Sequence, residues 1–245
     1  MMGALKVILW QELVLFKRKF WGITTGAMIS PMLYLIVFGW GLGDGMQVEG
    51  QDYLTFVIPG IVAMTTMVVS YNNLANNINI SRIYEKTFES FMVAPIKMHV
   101  YALAKILGGA LRGMYSGALI ILIVSVFGTK LAVTPYFIFV MFLNCMVFSS
   151  IGFTVGLIIN SHMEMSKFSN FVITPMSFLC GTFFSLGKMP MIVKGLIMVL
   201  PLTHTSIALR STGENLMSDM IHPAILIAYF IVMFSVGVRK CLKAE

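Results

Sequence analysis

Charge is scarce in this sequence. Of its 245 residues only 11% are Asp, Glu, Lys or Arg, 58% are hydrophobic, and the mean hydropathy is +0.89. A soluble domain carries about a quarter charged residues, and a chain of this length cannot hide so much apolar surface in one aqueous core. A bilayer solves the problem, since each span needs about 20 mostly apolar residues. Acid is scarcer than base, 10 residues against 17. The basic residues form no patch, so nucleic acid is not an expected partner; they suit the cytoplasmic flanks of membrane helices instead.

Cysteine is nearly absent. Cys145, Cys180 and Cys241 are odd in number and nowhere spaced as C-x-x-C, which excludes a disulfide framework and a zinc site of that type. His99, His162, His204 and His222 lie far apart in the chain, each near an expected membrane boundary. They are read as interfacial hydrogen-bonding groups, and no metal site is expected. There is no phosphate loop: the one Gly-Lys pair, Gly187-Lys188, lacks the preceding glycine and the following hydroxyl. Neither G-x-S-x-G nor H-E-x-x-H occurs. No Asp or Glu is expected in the middle of a span, which counts against an ion-driven carrier.

What is present is a succession of apolar runs. Leu5, Leu9, Leu13, Phe16 and Phe20 recur at helical spacing, with Lys6, Gln11, Arg18 and Lys19 off that arc. Residues 1–20 are therefore read as a helix lying on the cytoplasmic membrane surface, in preference to an extension of the first span. Spans are expected at 21–41, 53–80, 101–127, 135–159, 168–186 and 221–238. The connector holding Asp44, Glu49 and Asp52 is acidic, with no Lys or Arg, and belongs outside the cytoplasm. Residues 160–167 read as a short polar turn. Residues 187–219 are too polar to cross cleanly; the apolar part, Ile192 to Leu202, bracketed by Pro190 and Pro201, is expected to form short re-entrant helices in the outer leaflet. The fold class is thus an all-α integral membrane protein with six transmembrane helices in one domain, 1–245. On this topology twelve of the Lys and Arg residues are cytoplasmic and four (Lys130, Lys188, Lys194, Arg210) are outside, which sets both termini in the cytoplasm.

Three patterns stand out within the spans. Gly109, Gly113 and Gly117 repeat at four-residue spacing, as do Gly152 and Gly156, and such small residues let helices approach closely. Asn72, Asn73, Asn76, Asn77 and Asn79 crowd the second half of the second span. Amides at this density do not face lipid; they line a polar path, pair across a helix interface, or lie at the cytoplasmic surface. Lys105 and Arg112 are seven apart on one helix face. They either snorkel to the interface or pair with Glu85 or Glu89.

The longest charged interruption is Ser81 to Lys105, with Arg82, Glu85, Lys86, Glu89 and Lys97. It is read as a handle for a soluble partner, the alternative being a plain solvated loop. Phe88 and Phe91 would supply an apolar anchor and Glu85, Lys86 and Glu89 a charged rim, the usual composition of an interface hot spot.

Nearly the whole chain resembles the type-2 ATP-binding-cassette exporter permeases, the group that includes nodulation-factor and daunorubicin-resistance export permeases. The resemblance rests on the surface helix, the block Glu85-Lys86-Thr87-Phe88-Glu89 leading to Ala94-Pro95-Ile96, and Gly108-Gly109 with Arg112-Gly113. It rests also on the run from Gly181 to Leu186 before Pro190, and on Pro201-Leu202. Lys86 stands where many relatives carry glycine, and no special backbone turn is expected there. The resemblance implies a permease that is not itself an enzyme. It would pair with a second permease copy or paralogue in a bacterial or archaeal inner membrane, on separate ABC nucleotide-binding subunits that bind ATP and Mg. The ATPase interface would comprise Arg82, Glu85, Lys86, Thr87, Phe88, Glu89, Phe91 and Pro95, within a coupling segment at 81–100. The second and fifth spans would line the path, with Tyr53, Phe56, Asn72, Asn76, Phe171, Thr174 and Phe178 as candidates, for an amphipathic, lipid-linked, glycan or drug-like cargo. The alternative is a stand-alone channel or ion-coupled carrier.

Overall fold

The computed structural model describes residues 2–41, 47–48, 50–126, 131–185, 187, 189–211 and 219–242. Its helices are α1 (Met2–Arg18), α2 (Phe20–Tyr34), α3 (Tyr53–Ile83), α4 (Thr87–Val93), α5 (Met98–Val126) and α6 (Pro135–Ile158). There follow α7 (His162–Phe168), α8 (Thr174–Leu179), α9 (Met191–Met198), α10 (Pro201–Arg210) and α11 (Ile221–Leu242). A two-stranded hairpin, β1 (Gln47–Val48) and β2 (Gln51–Asp52), precedes α3. Five helical stretches are long and apolar enough to cross a membrane, or six if the pair α9–α10, bent by 96°, counts as one.

Helix α3 is the centre. From Phe56 to Met67 it is apolar except for Thr65 and Thr66, and buried on every side, the pattern of a helix surrounded by other helices. It packs on α5, α6 and α10. Glycine makes two of these contacts possible. A Cβ on Gly117 would lie 2.7 Å from Thr66 Cγ2, and one on Gly152 would lie 2.7 Å from the Tyr71 carbonyl. Both expected glycine series thus lie at close crossings, facing α3. Helices α2 and α11 expose apolar residues such as Ile29, Leu33, Ile231 and Val232, as suits the rim of a membrane bundle.

The expected boundaries need four corrections. The first span changes character after Pro31: the α-helix ends at Tyr34 and a π-helical turn runs Leu35–Gly41. The polar turn at 160–167 is mostly helix; α7 begins at His162 and continues through a π turn (Ser169–Ile173) into α8, which ends at Leu179. Pro201 opens a helix instead of closing one, since its fixed φ and missing N–H suit the first helical position. The buried arc of α1 is centred on Ile8 and Glu12, while Leu13 is exposed. Asp44, Glu49, Lys130 and Lys188, assigned to the outer side, fall outside the described residues.

Polar side chains pin the far end of the bundle. Asn144 of α6 donates to the Ala63 carbonyl (3.0 Å) and to Thr66 Oγ1 (2.9 Å), and accepts from Thr205 Oγ1 (2.8 Å), tying α3, α6 and α10. Arg210 donates to the carbonyls of Phe56 (3.0 Å), Gly181 (2.8 Å) and Thr182 (3.1 Å), with its guanidinium 4.0 Å from the Phe56 ring centre.

Candidate functional site

The handle is a short helix on a fixed mount. Helix α3 carries through to Ile83, where Arg82 donates to the carbonyls of Gly156 (3.3 Å) and Leu157 and to Asn160 Oδ1. A cation on the last carbonyls of α6 satisfies groups the helix leaves bare. Arg82 therefore braces the handle and is not free on its face. The chain then reverses at Lys86, whose φ of 52° and ψ of 13° are left-handed. The expectation of an ordinary turn here is wrong: this is the conformation glycine adopts without strain, and lysine holds it at a cost.

From Thr87 to Val93 the α4 helix has two faces. Phe88 is buried and Phe91 partly so; both rings lie against Tyr101 of α5, at 6.0 and 5.0 Å between centroids, and Tyr101 meets Phe153 of α6. The aromatic anchor thus holds α4 to its own chain and does not face outward. The outward face carries Glu85, Lys86, Thr87, Glu89, Ser90, Val93 and Pro95. Val93, 88% exposed, is the large apolar residue that α4 presents there.

Beneath the handle lies a buried ionic cluster. Glu12 of α1 accepts from Lys105 Nζ (2.6 Å) and from Arg112 Nη2 (2.8 Å); Arg112 also donates to the Glu12 carbonyl (3.3 Å) and to Asn73 Oδ1. Lys105 Nζ sits 5.6 Å from the Phe91 ring centre, within cation–π range. Both sequence expectations for these cations fail: neither snorkels, and neither pairs with Glu85 or Glu89. Glu12 carries no mark in the spacing except that it is the one acid before Asp44. It brings a carboxylate to the middle of α5, where none was expected, with both oxygens committed to partners. The handle is thereby connected through Phe91, Lys105, Glu12 and Arg112 to Asn73 of α3.

That asparagine opens onto a groove. Asn72, Asn73, Asn76 and Asn77 share one face of α3 with Val68 and Val69. Opposite stand Gly22, Ile23, Gly26 and Ala27 of α2; Lys19, Arg112 and Glu85 also border the space, about 490 Å³. Next to it a hollow of about 190 Å³ gathers Asn72, Thr174 and Phe178 with Ser30 and Tyr34, and Ser169 Oγ donates to Asn72 Oδ1 (3.1 Å). Of the path candidates, Asn72, Asn76, Thr174 and Phe178 thus meet on connected walls. Tyr53 lies apart, its hydroxyl donating to the Phe183 carbonyl (3.1 Å). Phe56 lies under Arg210 and borders a separate hollow of about 290 Å³ with Lys194 and His222. Phe171 points outward, 79% exposed. His204 and His222, distant in sequence, meet with their Nδ1 atoms 3.0 Å apart; among the described residues no third metal-type ligand joins them.

The family model for ABC-2 type transporters matches residues 3–212, from α1 through the bend at α10. The chain belongs to the ABC-2 type transporter family. It is 29% identical over 205 residues to the inner membrane transport permease YadH of Escherichia coli (strain K12), covering 82% of this chain and 79% of that one. It is 26% identical over 215 residues to nodulation protein J of Rhizobium meliloti (strain 1021), covering 85% and 81%. To nodulation protein J of Rhizobium leguminosarum bv. viciae it is 24% identical over 224 residues, covering 86% and 83%. As an ABC-2 chain it is a transport membrane subunit, and the handle, the ionic cluster and the groove all lie inside the matched region.

Proposed function

We propose that this chain is the permease subunit of an ABC exporter in a bacterial inner membrane. It pairs with a second permease and is driven by ATP that separate nucleotide-binding subunits hydrolyse with Mg. The observation that carries this reading is the outward face of α4. Glu85, Lys86, Thr87, Glu89 and Val93 are exposed together, while Phe88 and Phe91 fasten α4 to α5 and Arg82, just before it, fastens the end of α3 to α6. A rigid mount with a polar, exposed tip suits a docking element that transmits force, and the sequence contains no phosphate loop of its own.

With the handle in the cytoplasm, both termini are cytoplasmic. Helix α1 lies in the interface with Val7 and Trp10 toward lipid, and α9–α10 bend back within the outer leaflet. The asparagine groove opens to the inner leaflet beside the handle and forms the start of the path for an amphipathic cargo. Pull-down from native membranes in mild detergent tests the assignment. A stoichiometric ABC ATPase subunit that is lost with Glu89→Lys supports it. Recovery of the chain alone, with flux in liposomes lacking any ATPase, would replace it with a channel or carrier.

A further inference from the structure

The cluster under the handle does not balance. Glu12 supplies one negative charge against two positive ones from Lys105 and Arg112, and the three residues are 4%, 4% and 7% exposed. A buried charge without a counter-charge is costly, more so within a membrane bundle than at a surface. The excess is best placed on Arg112. Lys105 makes a single short ion pair at 2.6 Å and rests against aromatic rings. Arg112 shares the same carboxylate, leans on a neutral amide, and among the described residues its Nε has no partner.

Arg112 also borders the asparagine groove, which Lys19 approaches from the α1–α2 break. Two cations, four amides and an apolar flank from Val68, Val69 and Ala27 thus surround one space of about 490 Å³. Phosphate chemistry suits it. A phosphate presents several acceptor oxygens to guanidinium and ammonium donors, and amides can hydrogen-bond the hydroxyls that commonly flank it. Glu85, at the handle end, is the one carboxylate bordering the groove among the described residues. It repels an anion and favours seating deep, next to Arg112.

We propose that this groove binds the anionic, phosphate-type headgroup of a membrane amphiphile, with the phosphate against Arg112 and Lys19 and the apolar tail leaving past Val68 and Val69. The proposal rests on the permease reading for the side of the membrane from which the amphiphile comes, and otherwise on charge and shape. It narrows the cargo from any amphipathic molecule to an anionic one, and the site also admits a resident anionic lipid.

The test is native mass spectrometry of the full-length chain, titrated with phosphatidylglycerol, with zwitterionic phosphatidylcholine, and with phosphatidylglycerol in the presence of excess inorganic phosphate. The expected result is a retained phosphatidylglycerol that phosphatidylcholine does not match and that Arg112→Gln weakens roughly tenfold or more. Lys19→Gln, an exposed change, weakens it about two- to threefold, and Glu85→Gln tightens it. These two surface variants keep the test open should Arg112→Gln fail to insert. Resistance to inorganic phosphate identifies a lipid headgroup as the ligand; full competition identifies a free anion, supports the charge argument and overturns the lipid. Equal retention of both lipids, or no response to any of the three variants, overturns the site. ATPase co-purification is a separate measurement, so a chain that binds its ATPase but no anionic lipid would lose this proposal and keep the permease assignment.

Discussion

Glu12 of α1 fits over Gly108 of α5 so closely that a Cβ on that glycine would stand 2.7 Å from Glu12 Cγ. The bare backbone at 108 lets the carboxylate lie between Lys105, one turn before, and Arg112, one turn after. The α1–α5 junction is therefore made by a charge and an absence together, and either can be removed.

Glu12→Gln should be severely destabilising, by about 3–5 kcal/mol, because it leaves two buried cations facing each other without their acid. Thermal unfolding in detergent would show a large drop in midpoint for Glu12→Gln and a partial recovery on adding Lys105→Met. An unchanged midpoint would mean that water reaches the cluster.

Phe88→Ala and Glu89→Lys should part company. The first removes a buried ring from under α4 and should cost about 3–5 kcal/mol, lowering the unfolding midpoint. The second changes only the exposed face and should leave the midpoint in place while abolishing capture of the ATPase subunit. Limited proteolysis near 86–95 would report a loosened α4 in the first variant alone.

At position 86 the expected direction is reversed from that of most substitutions. Lys86→Gly should raise stability by about 1 kcal/mol by relieving the left-handed strain, whereas Lys86→Val should lower it, since a β-branched residue tolerates positive φ worst. Paired unfolding curves for the two variants check both signs.

Arg210→Lys should cost roughly 1–3 kcal/mol despite preserving charge. The guanidinium reaches the carbonyls of Phe56, Gly181 and Thr182 together, and an ammonium leaves some of these acceptors unmet. Hydrogen exchange at Gly181 and Thr182 should accelerate in this variant.

Much of the architecture was legible in the chain. The apolar runs locate the long helices, and glycines at four-residue spacing mark close crossings because backbone approach needs small residues wherever it occurs. Charge marks the stretch that carries the exposed face of α4. What periodicity could not supply is the partner of a face. Lys105 and Arg112 plainly share one side of α5, but that α1 brings Glu12 to them is a tertiary fact. The same limit explains Phe88, whose aromatic character suits a partner pocket and the chain's own α5 equally well, and His204 with His222, which only the fold brings together. Lys86 hid its turn because a lysine rarely signals left-handed backbone.

The glycine series on α5 has a mechanical consequence. Thr66, Ser70 and Leu74 of α3 seat at Gly117, Gly113 and Gly109 in turn, and Met141, Cys145 and Ser149 of α6 seat at the same three. Both partners engage α5 as teeth in evenly spaced notches, so a small slide along its axis drives side chains into backbone. The next notch lies four residues away, about 6 Å along the axis. Displacement of α3 along α5 is therefore stepped, not graded: distances between spin labels on the two helices should jump by about that amount during turnover or stay fixed, and a continuous spread of values would contradict the notching.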